Sequence, residues 1–294
     1  MDIGGTTIKS AIYLMNGKLV KKNVSIKTAD NLEDFILQMK QLKKENFDNF
    51  HGMAICMPGV INSKTGYVAH GGSLQFIQNI NLKEELEKQL NCSVGIINDA
   101  KSAAIGEQYF GQLQEVENGL SVVLGTGIGL GILIDGKLYN GNTQASGEIS
   151  FVNANNKPDL SGINGVLLSS VGMIDQYFEK HIDQSVIKSG AYFFEKVTLK
   201  DEYAVELIET YCETLAIQLY NLQTLFDPEK IVIGGGISRQ NELFEVLDKK
   251  ISSYGEASYN LIPQPNIEQS KLGNDANLLG ALINYKATTK NNSN

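Results

Sequence analysis

The chain has 294 residues, a formal net charge of −8 and an apolar content of 42%. It is long enough for two domains that each have a core. The acidic balance disfavours a nucleic-acid partner, because phosphate binding needs a basic face. No run of 18 apolar residues is present, so we expect no membrane span and no membrane partner.

The cysteines and histidines argue against a disulfide framework or a metal cluster. Cys56, Cys92 and Cys212 are far apart and odd in number, which is typical of reduced thiols in a cytoplasmic protein. The first residues are polar and glycine-rich, unlike a signal peptide. No metal-ligand spacing connects the histidines, which are His51, His70 and His181.

Apolar periodicity predicts helices and strands in alternation along the chain, which indicates an α/β architecture. The predicted helices are 31–47, 82–90, 100–110, 201–226 and 275–285. The predicted strands are 8–14, 52–57, 94–97, 128–134 and 231–233. We expect residues 151–162 to be loop and residues 286–294 to form a frayed tail.

One supersecondary pattern occurs twice. Gly5-Thr6 and Gly125-Thr126 are each followed by an apolar strand, then by an Asn-Gly or Asp-Gly pair at 16–17 and 135–136. Such pairs between apolar runs are strong hairpin signals. The repetition predicts two related domains, whose glycine turns would bind one anionic ligand through backbone N–H groups.

The first glycine turn lies very close to the start of the sequence. A turn of this kind is expected to end a strand, yet only residues 1–3 precede it. The first strand is therefore very short, or the sequence is truncated or starts at a misassigned methionine. The sequence alone leaves these alternatives open.

Two familiar phosphate motifs are excluded. The glycines of GTGIGLG are spaced by two throughout and miss the sixth position of a dinucleotide fingerprint. Residues 131–137 match the spacing of a P-loop, but Leu138 follows where a serine or threonine would bind magnesium. We interpret Asp135-Gly136 as a hairpin turn.

Motifs spread over nearly the whole chain resemble the ROK family (repressors, open reading frames, kinases) of the actin-like ATPase superfamily. They are DIGGTTIKSA, ICMPGVIN, IINDAKSAAIGE, VVLGTGIGLGILIDGKL, IVIGGGIS and DANLLGAL. The resemblance implies an α/β fold of two actin-like ATPase domains (ribonuclease H-like) with an interdomain cleft. It implies a smaller domain at 1–105 plus 275–294, a larger domain at 106–274, and a homodimer.

The resemblance also implies ATP and Mg²⁺ as cofactors. Asp2 would orient magnesium, directly or through water, and two glycine turns would contact phosphate oxygens. The third glycine motif would leave room for the adenosine. The implied ATP-binding residues are Asp2, Gly4, Gly5, Thr6, Lys9, Gly125, Thr126, Gly127, Gly234, Gly235 and Gly236. Each glycine taken alone is equally compatible with a structural turn.

Asp99 is the predicted catalytic residue. It ends an apolar strand before a helix of small residues, and its carboxylate can accept a proton from a sugar hydroxyl that attacks the γ-phosphate of ATP. Position alone favours a helix N-cap, whereas its place in the NDA motif favours the general base. The resemblance further implies that Asn98, Glu148 and Gly59 bind the sugar.

The chain departs from the family pattern around residue 150. Many ROK kinases have a histidine near this position and three cysteines in the following loop, which together hold zinc. Here Ser150 or a residue close to it takes the histidine position and DLSGINGVLL has no cysteine, so we predict no zinc. A family glutamate that binds sugar falls on Leu167 or Leu168. Lys101 replaces the usual asparagine.

The sequence thus predicts an ATP-dependent sugar kinase that phosphorylates a hexose or β-glucoside at the 6-hydroxyl. Zinc-free relatives make a glucoside plausible. One alternative is a sugar-responsive regulator, but no DNA-reading segment precedes the phosphate loop unless it was lost upstream. The other is a non-catalytic sugar-binding protein, against which the retention of Asp2, Asp99 and three glycine motifs argues.

Overall fold

The computed structural model describes residues 1–46, 51–155, 159–180 and 187–289. The strands, numbered in chain order, are β1 (Asp2–Ile3), β2 (Thr7–Lys9), β3 (Ala11–Tyr13), β4 (Leu19–Lys22), β5 (Ile26–Lys27), β6 (Gly52–Met57), β7 (Val60–Asn62), β8 (Tyr67–His70), β9 (Gln78–Asn81), β10 (Ser93–Asn98), β11 (Gly119–Leu124), β12 (Ile128–Ile134), β13 (Lys137–Leu138), β14 (Lys230–Gly235) and β15 (Ile267–Gln269). The helices are α1 (Leu32–Asn46), α2 (Leu82–Leu90), α3 (Asp99–Phe110), α4 (Asn164–Leu167), α5 (Ser170–Lys180), α6 (Gly190–Thr198), α7 (Glu202–Phe226), α8 (Asn241–Ala257) and α9 (Asp275–Thr289).

The chain divides into two compact units. The first contains residues 1–114, 138–147 and 274–294, and the second contains residues 115–137 and 148–273. The domain limits predicted from the sequence stay a prediction. Across the described ranges, every helix is either too short or too polar to span a bilayer.

The first unit is built on a five-stranded sheet of order β10-β6-β1-β2-β5. Strands β10, β6 and β1 are parallel, and β2 runs antiparallel to β1. Asp2 pairs with Cys56, and Cys56 pairs with Ile97, so the carboxyl ends of these three strands meet at one edge. Ligands of open α/β sheets bind at such an edge.

The second unit is built on a sheet of order β13-β12-β11-β14-β15. Strand β12 is antiparallel to β11, while β14 and β15 are parallel to it. The central strand, its antiparallel partner and the two parallel neighbours therefore occupy the same positions as in the first sheet. This arrangement is the repeated pattern that the two glycine turns predict.

Each sheet has its own apolar core. In the first unit, Phe35 and Met39 of α1 pack with Leu86 of α2 on the buried side chains of β6 and β10. In the second unit, Ile208 and Leu215 of α7 belong to a cluster with the buried residues of β11 and β14. Burial of apolar surface stabilises each unit by roughly 25 cal/mol per Å².

Both predicted hairpin pairs form turns. Gly17 has a φ of +87° and links β3 to β4, whose pairing is antiparallel. Asp135 and Gly136 have φ values of +51° and +66° between β12 and β13. Two positive φ values in succession are the signature of a type I′ hairpin.

The small-residue helix α3 packs closely on α9. A Cβ on Gly106 would lie 2.2 Å from the Ala276 carbonyl oxygen, and one on Gly280 would lie 1.7 Å from the Ser102 carbonyl oxygen. The Ser102 hydroxyl donates to the Asn277 carbonyl at 2.7 Å. The last helix of the chain therefore fixes the helix that begins at Asp99.

Three element predictions need correction. The strand expected over 8–14 is broken at Ser10, whose carbonyl and hydroxyl both accept hydrogen bonds from Asn23. The tail expected over 286–294 continues α9 as far as Thr289, because the helix is anchored by Tyr285, whose hydroxyl donates to the His51 carbonyl at 3.0 Å; residues 290–294 lie outside the described residues. The expected loop 151–162 contains an Asn153–Ile163 bridge and a 3-10 turn at Leu160–Gly162.

Candidate active site

The first glycine turn, residues 4–6, directly follows β1. The Gly4 N–H donates to the Thr7 carbonyl at 2.9 Å, which closes the turn. Thr28 holds it from outside: its hydroxyl donates to the Gly4 carbonyl at 2.7 Å and its N–H to the Thr6 carbonyl at 3.0 Å. Gly5 and Thr6 stay exposed, so their N–H groups are accessible to an anion.

Asp2 and Lys9 are directly opposite each other on β1 and β2. Opposite residues of an antiparallel pair direct their side chains to the same face of the sheet. Both side chains are half-buried. This face therefore offers a carboxylate and a cation directly beside the glycine turn.

Asn98, and not Asp99, is the N-cap of α3. The Asn98 Oδ1 accepts the Lys101 N–H at 3.0 Å, and its Nδ2 donates to the Gly59 carbonyl at 3.0 Å. Asn98 is only 4% exposed. Its amide thus ties the start of α3 to the turn after β6, and its predicted contact with sugar stays a prediction.

Asp99 is the first helical residue of α3 and is half-buried. Its Oδ1 accepts the Ala100 N–H at 2.8 Å. A carboxylate in the first turn is also favoured by the positive end of the helix dipole. Because Asn98 caps the helix, the cap explanation for Asp99 loses its main support.

Cys56 lies on β6, between β1, which carries Asp2, and β10, which leads into Asp99. Its thiol donates to Asp2 Oδ1 at 3.7 Å. Burial raises the pKa of the Cys56 thiol well above its usual value, and the negative charges of Asp2 and Asp99 raise it further. Two carboxylates that act on one buried thiol lie at the same sheet edge.

A segment that the sequence analysis left unassigned, residues 70–73, also lies at this edge. Gly59 has a φ of +113°, and a Cβ there would lie 2.0 Å from the His70 carbonyl oxygen. A Cβ on Gly5 would lie 2.7 Å from the Ser73 hydroxyl. The pair Gly71-Gly72 was the available sequence signal for this segment.

The second glycine turn, residues 125–127, follows β11 in the other unit. The Gly125 N–H donates to the Gly127 carbonyl at 2.9 Å. Ser170, at the start of α5, donates both its N–H (3.0 Å) and its hydroxyl (2.8 Å) to the Gly125 carbonyl. Thr126 is exposed at the tip of the turn.

The third glycine motif lies beside this second turn, because Leu124 pairs with Gly235 on the parallel strands β11 and β14. Gly235 is required by the chain itself: its φ is +98°, and a Cβ would lie 2.1 Å from the Leu124 carbonyl oxygen. Gly125 and Gly236 differ, since a Cβ on either would meet no atom within 4 Å. The described chain leaves open space at these two positions.

Glu148 begins a one-turn 3-10 helix at Ile149–Phe151, and its carbonyl accepts the Phe151 N–H at 3.1 Å. Ser150 ties this turn to β12, since its hydroxyl donates to the Ile128 carbonyl at 2.8 Å and accepts the Ile128 N–H at 3.1 Å. The turn that begins at Glu148, the residue predicted to bind sugar, is therefore held beside the second glycine turn.

No three metal-ligating side chains come together within the ranges that the structure describes. His181 lies outside those ranges. At the two positions considered for the family's second sugar carboxylate, Leu168 is fully buried in the core and Leu167 is half-buried. A single carboxylate such as Asp2 fits Mg²⁺, which binds through one or two carboxylates plus substrate phosphates.

Lys101 is a buried cation in the helix that begins with Asp99. The residue is 1% exposed, and its Nζ donates to the Gln144 carbonyl at 2.7 Å. The Gln144 backbone has a φ of +68°. Lys101 thus connects α3 to the segment that leads toward Glu148.

The structure groups the predicted residues by unit. Asp2, Lys9 and Asp99 lie at one sheet edge of the first unit, with the first glycine turn. The second unit holds the other two glycine motifs next to each other, and Glu148 precedes Ser150, which bonds to Ile128 directly after the second turn. Each edge combines backbone donors for an anion with a carboxylate, which is a donor set suited to phosphoryl transfer.

A protein family and several known proteins match nearly the whole chain. The ROK family model matches residues 1–288. The β-glucoside kinase of Listeria monocytogenes is 32% identical over 289 residues, covering 97% of this chain and 95% of that protein. The solved Lmo2764 protein from Listeria monocytogenes is 31% identical, with a TM-score of 0.85 and 98% coverage of both chains. A ROK family protein from Streptococcus pneumoniae TIGR4, in complex with sucrose, is 29% identical, with a TM-score of 0.82 and coverage of 99% of this chain and 98% of that one.

Proposed function

This chain belongs to the ROK family, and from that premise we propose that it transfers the γ-phosphoryl group of ATP to the 6-hydroxyl of a β-glucoside or a related hexose. It is an ATP-dependent carbohydrate kinase; the acceptor, the position of transfer and the roles of single residues are the proposal. The observation that carries the proposal is the position of Asp99, which follows β10 at the carboxyl edge of the same parallel sheet that carries Asp2 on β1, with β6 between the two strands.

Asp99 acts as the general base in this proposal. Its carboxylate accepts the proton of the sugar hydroxyl while the hydroxyl oxygen forms a bond to the γ-phosphorus and ADP leaves. General-base catalysis contributes about a hundred- to ten-thousand-fold. The Asn98 cap supports this role, because Asn98 and not Asp99 accepts the hydrogen bond that caps α3.

The glycine motifs hold the nucleotide. N–H groups of the turns at 4–6 and 125–127 bind phosphate oxygens, and Lys9 adds a positive charge. The open space at Gly125 and Gly236 supports close approach by a ligand. Asp2 would hold Mg²⁺, which neutralises phosphate charge when it is bound.

Three features support a β-glucoside as acceptor. One relative reported above is a β-glucoside kinase. Glu148 is held near the second glycine turn, where it would bind sugar hydroxyls. Leu167 and Leu168 supply no second carboxylate, so the sugar site is less polar.

We also propose that the protein contains no zinc, which elemental analysis would test, and that it is a cytoplasmic homodimer.

A coupled ADP-release assay tests the proposal. The panel is glucose, mannose, N-acetylmannosamine, cellobiose and phenyl β-glucoside, each with ATP and Mg²⁺. We expect sugar-dependent ADP release that is highest with a β-glucoside. If none of the sugars stimulates ADP release, the kinase proposal is contradicted and the sugar-binding or regulatory alternatives are favoured. If a free hexose is preferred, only the proposed acceptor is wrong.

A further inference from the structure

Four apolar side chains are exposed close to Glu148. Phe151 is 67% exposed, Val152 46%, Leu160 70% and Val166 54%. Single exposed apolar residues are ordinary, but neighbouring ones mark a binding surface. We refer to these four residues as the apolar patch.

The patch is built by two segments that are hydrogen-bonded together. The Asn164 N–H donates to the Val152 carbonyl at 2.9 Å, and the Ala154 N–H donates to the Gly162 carbonyl at 2.8 Å. Leu160 and Val166 lie on either side of that second segment, in the 3-10 turn and in α4. The four side chains are thereby kept on one part of the second unit.

The 3-10 turn relates Phe151 to Glu148. The Phe151 N–H closes the turn on the Glu148 carbonyl at 3.1 Å, and residues three apart in such a turn lie on the same side. The two residues between them are used for anchoring: Ile149 packs against the core and Ser150 bonds to Ile128. Anchoring through Ile149 and Ser150 fixes the turn that has Glu148 and Phe151 on the same side.

We propose that the apolar patch, with Phe151 at its centre, binds the aglycone of a β-glucoside whose sugar is bound by Glu148. This inference rests on the proposed function. An aromatic side chain gives a flat apolar contact for a ring. A carboxylate for hydroxyls next to an apolar surface matches a molecule with a polar sugar at one end and an apolar group at the other.

The size of the patch favours an aglycone over a second copy of the chain. Stable interfaces bury about 800 Å² on each partner and use about 20–30 residues a side. Four side chains fall far below that number but suffice to cover one ring. The patch therefore sets acceptor preference, since glucose has no group that would reach it.

Kinetics of the Phe151→Ala variant test this role. We expect the ratio of kcat/KM for phenyl β-glucoside to kcat/KM for glucose to fall about tenfold, because only the glucoside loses a ring contact. Phe151→Tyr is expected to restore the ratio. Leu225→Ala is the control, since Leu225 is 74% exposed on α7 in the same unit, and it should leave the ratio unchanged.

A binding measurement separates this inference from the proposed function. The natural chain contains no tryptophan, so the Phe151→Trp variant carries a single reporter at the patch. We expect its emission to shift to shorter wavelength with phenyl β-glucoside and much less with glucose, even if no sugar is phosphorylated. Leu225→Trp serves as the control and should respond to neither.

Three results would overturn the inference. The first is an equal loss of kcat/KM for both substrates in Phe151→Ala. The second is a Phe151→Trp emission that responds equally to glucose and phenyl β-glucoside, or to neither. The third is a decrease in sedimentation mass of Phe151→Ala with an unchanged substrate ratio, which would make the patch a contact between copies. If no sugar stimulates ADP release, the proposed function itself is refuted.

Discussion

The glycine turns at 4–6 and 125–127 follow the central strands of two sheets that have the same strand order. Their surroundings differ. Side chains that carry charge, namely Asp2, Lys9 and Asp99, lie at the sheet edge that holds the first turn. The second turn is held by the hydroxyls of Ser150 and Ser170 and lies next to the third glycine motif. In the proposed mechanism, one topology thus supports the chemistry in one unit and backbone binding of the nucleotide in the other.

The largest expected effect is on turnover, and it follows from substitution of Asp99 in the first unit. Asp99→Asn removes the base but keeps the oxygen that accepts the Ala100 N–H, and Asn98 still caps α3. We expect turnover to fall about a hundred- to ten-thousand-fold while ATP affinity and thermal stability stay close to wild type. Steady-state kinetics and calorimetry with ATP measure these quantities.

Asp30→Asn is the matched control for that variant. Asp30 is in the same unit, and its side chain is 85% exposed. The turnover of Asp30→Asn should therefore equal that of the wild type. If Asp99→Asn retains most of the activity, Asp99 is not the general base.

The next effect separates two neighbouring glycines of the second unit. In Gly235→Ala the new Cβ would meet the Leu124 carbonyl at 2.1 Å in a left-handed backbone. We expect the free energy of unfolding to fall by about 2 kcal/mol or more. Gly236→Ala places its Cβ in open space, so it should fold normally and lose ATP affinity. Urea unfolding and ATP titration compare the two, and equal stability loss in both would contradict the distinction.

A smaller effect is expected at Lys101. Lys101→Met keeps the length of the side chain but removes the bond from Nζ to the Gln144 carbonyl, and leaves that acceptor without the donor. The expected loss of stability is about 1.5–3 kcal/mol. Thermal unfolding measures this loss of stability. The control is Lys64→Met, because Lys64 lies on the exposed Asn62–Thr65 turn. A melting temperature equal to that of the wild type would show that the bond does not contribute.

The smallest effect concerns buried thiols. Burial raises the pKa of Cys212 to about 12 from a usual 9.0. The folded state therefore holds this proton more tightly than the unfolded state, so its contribution is complete below pH 9 and is lost as the pH rises toward 12. That loss is about 1.4 kcal/mol per pH unit. Urea unfolding at pH 8 and pH 10 should show a smaller decrease in Cys212→Ala than in wild type; the same decrease in both would contradict the assignment.

Much of the fold could be predicted from local patterns. The strands 52–57 and 128–134, the helix 82–90 and both Asn-Gly and Asp-Gly turns have the predicted bounds, because apolar periodicity and turn chemistry act over a few residues. The break at Ser10 could not be predicted, since it depends on Asn23 thirteen residues later. The helical Thr288 and Thr289 were also missed, because polar residues near a terminus resemble a frayed tail.

The candidate site shows the same limit. The glycine motifs, Asp2 and Asp99 are visible in the sequence as short motifs with a known chemistry. The burial of Lys101 depends on Gln144, which lies 43 residues away. Likewise, residues 70–73 lie against Gly5 and Gly59 only because the chain returns to the sheet edge there. Partners at that separation leave no periodic signal.

The identity of the product tests the central claim most directly. The wild-type protein is incubated with ATP, Mg²⁺ and phenyl β-glucoside, and the products are examined by ³¹P and ¹H NMR. We predict one phosphomonoester on the 6-oxygen of the glucoside, formed in equal amount to ADP. Inorganic phosphate as the only new phosphorus species, or a phosphoryl group on another oxygen, would contradict the account.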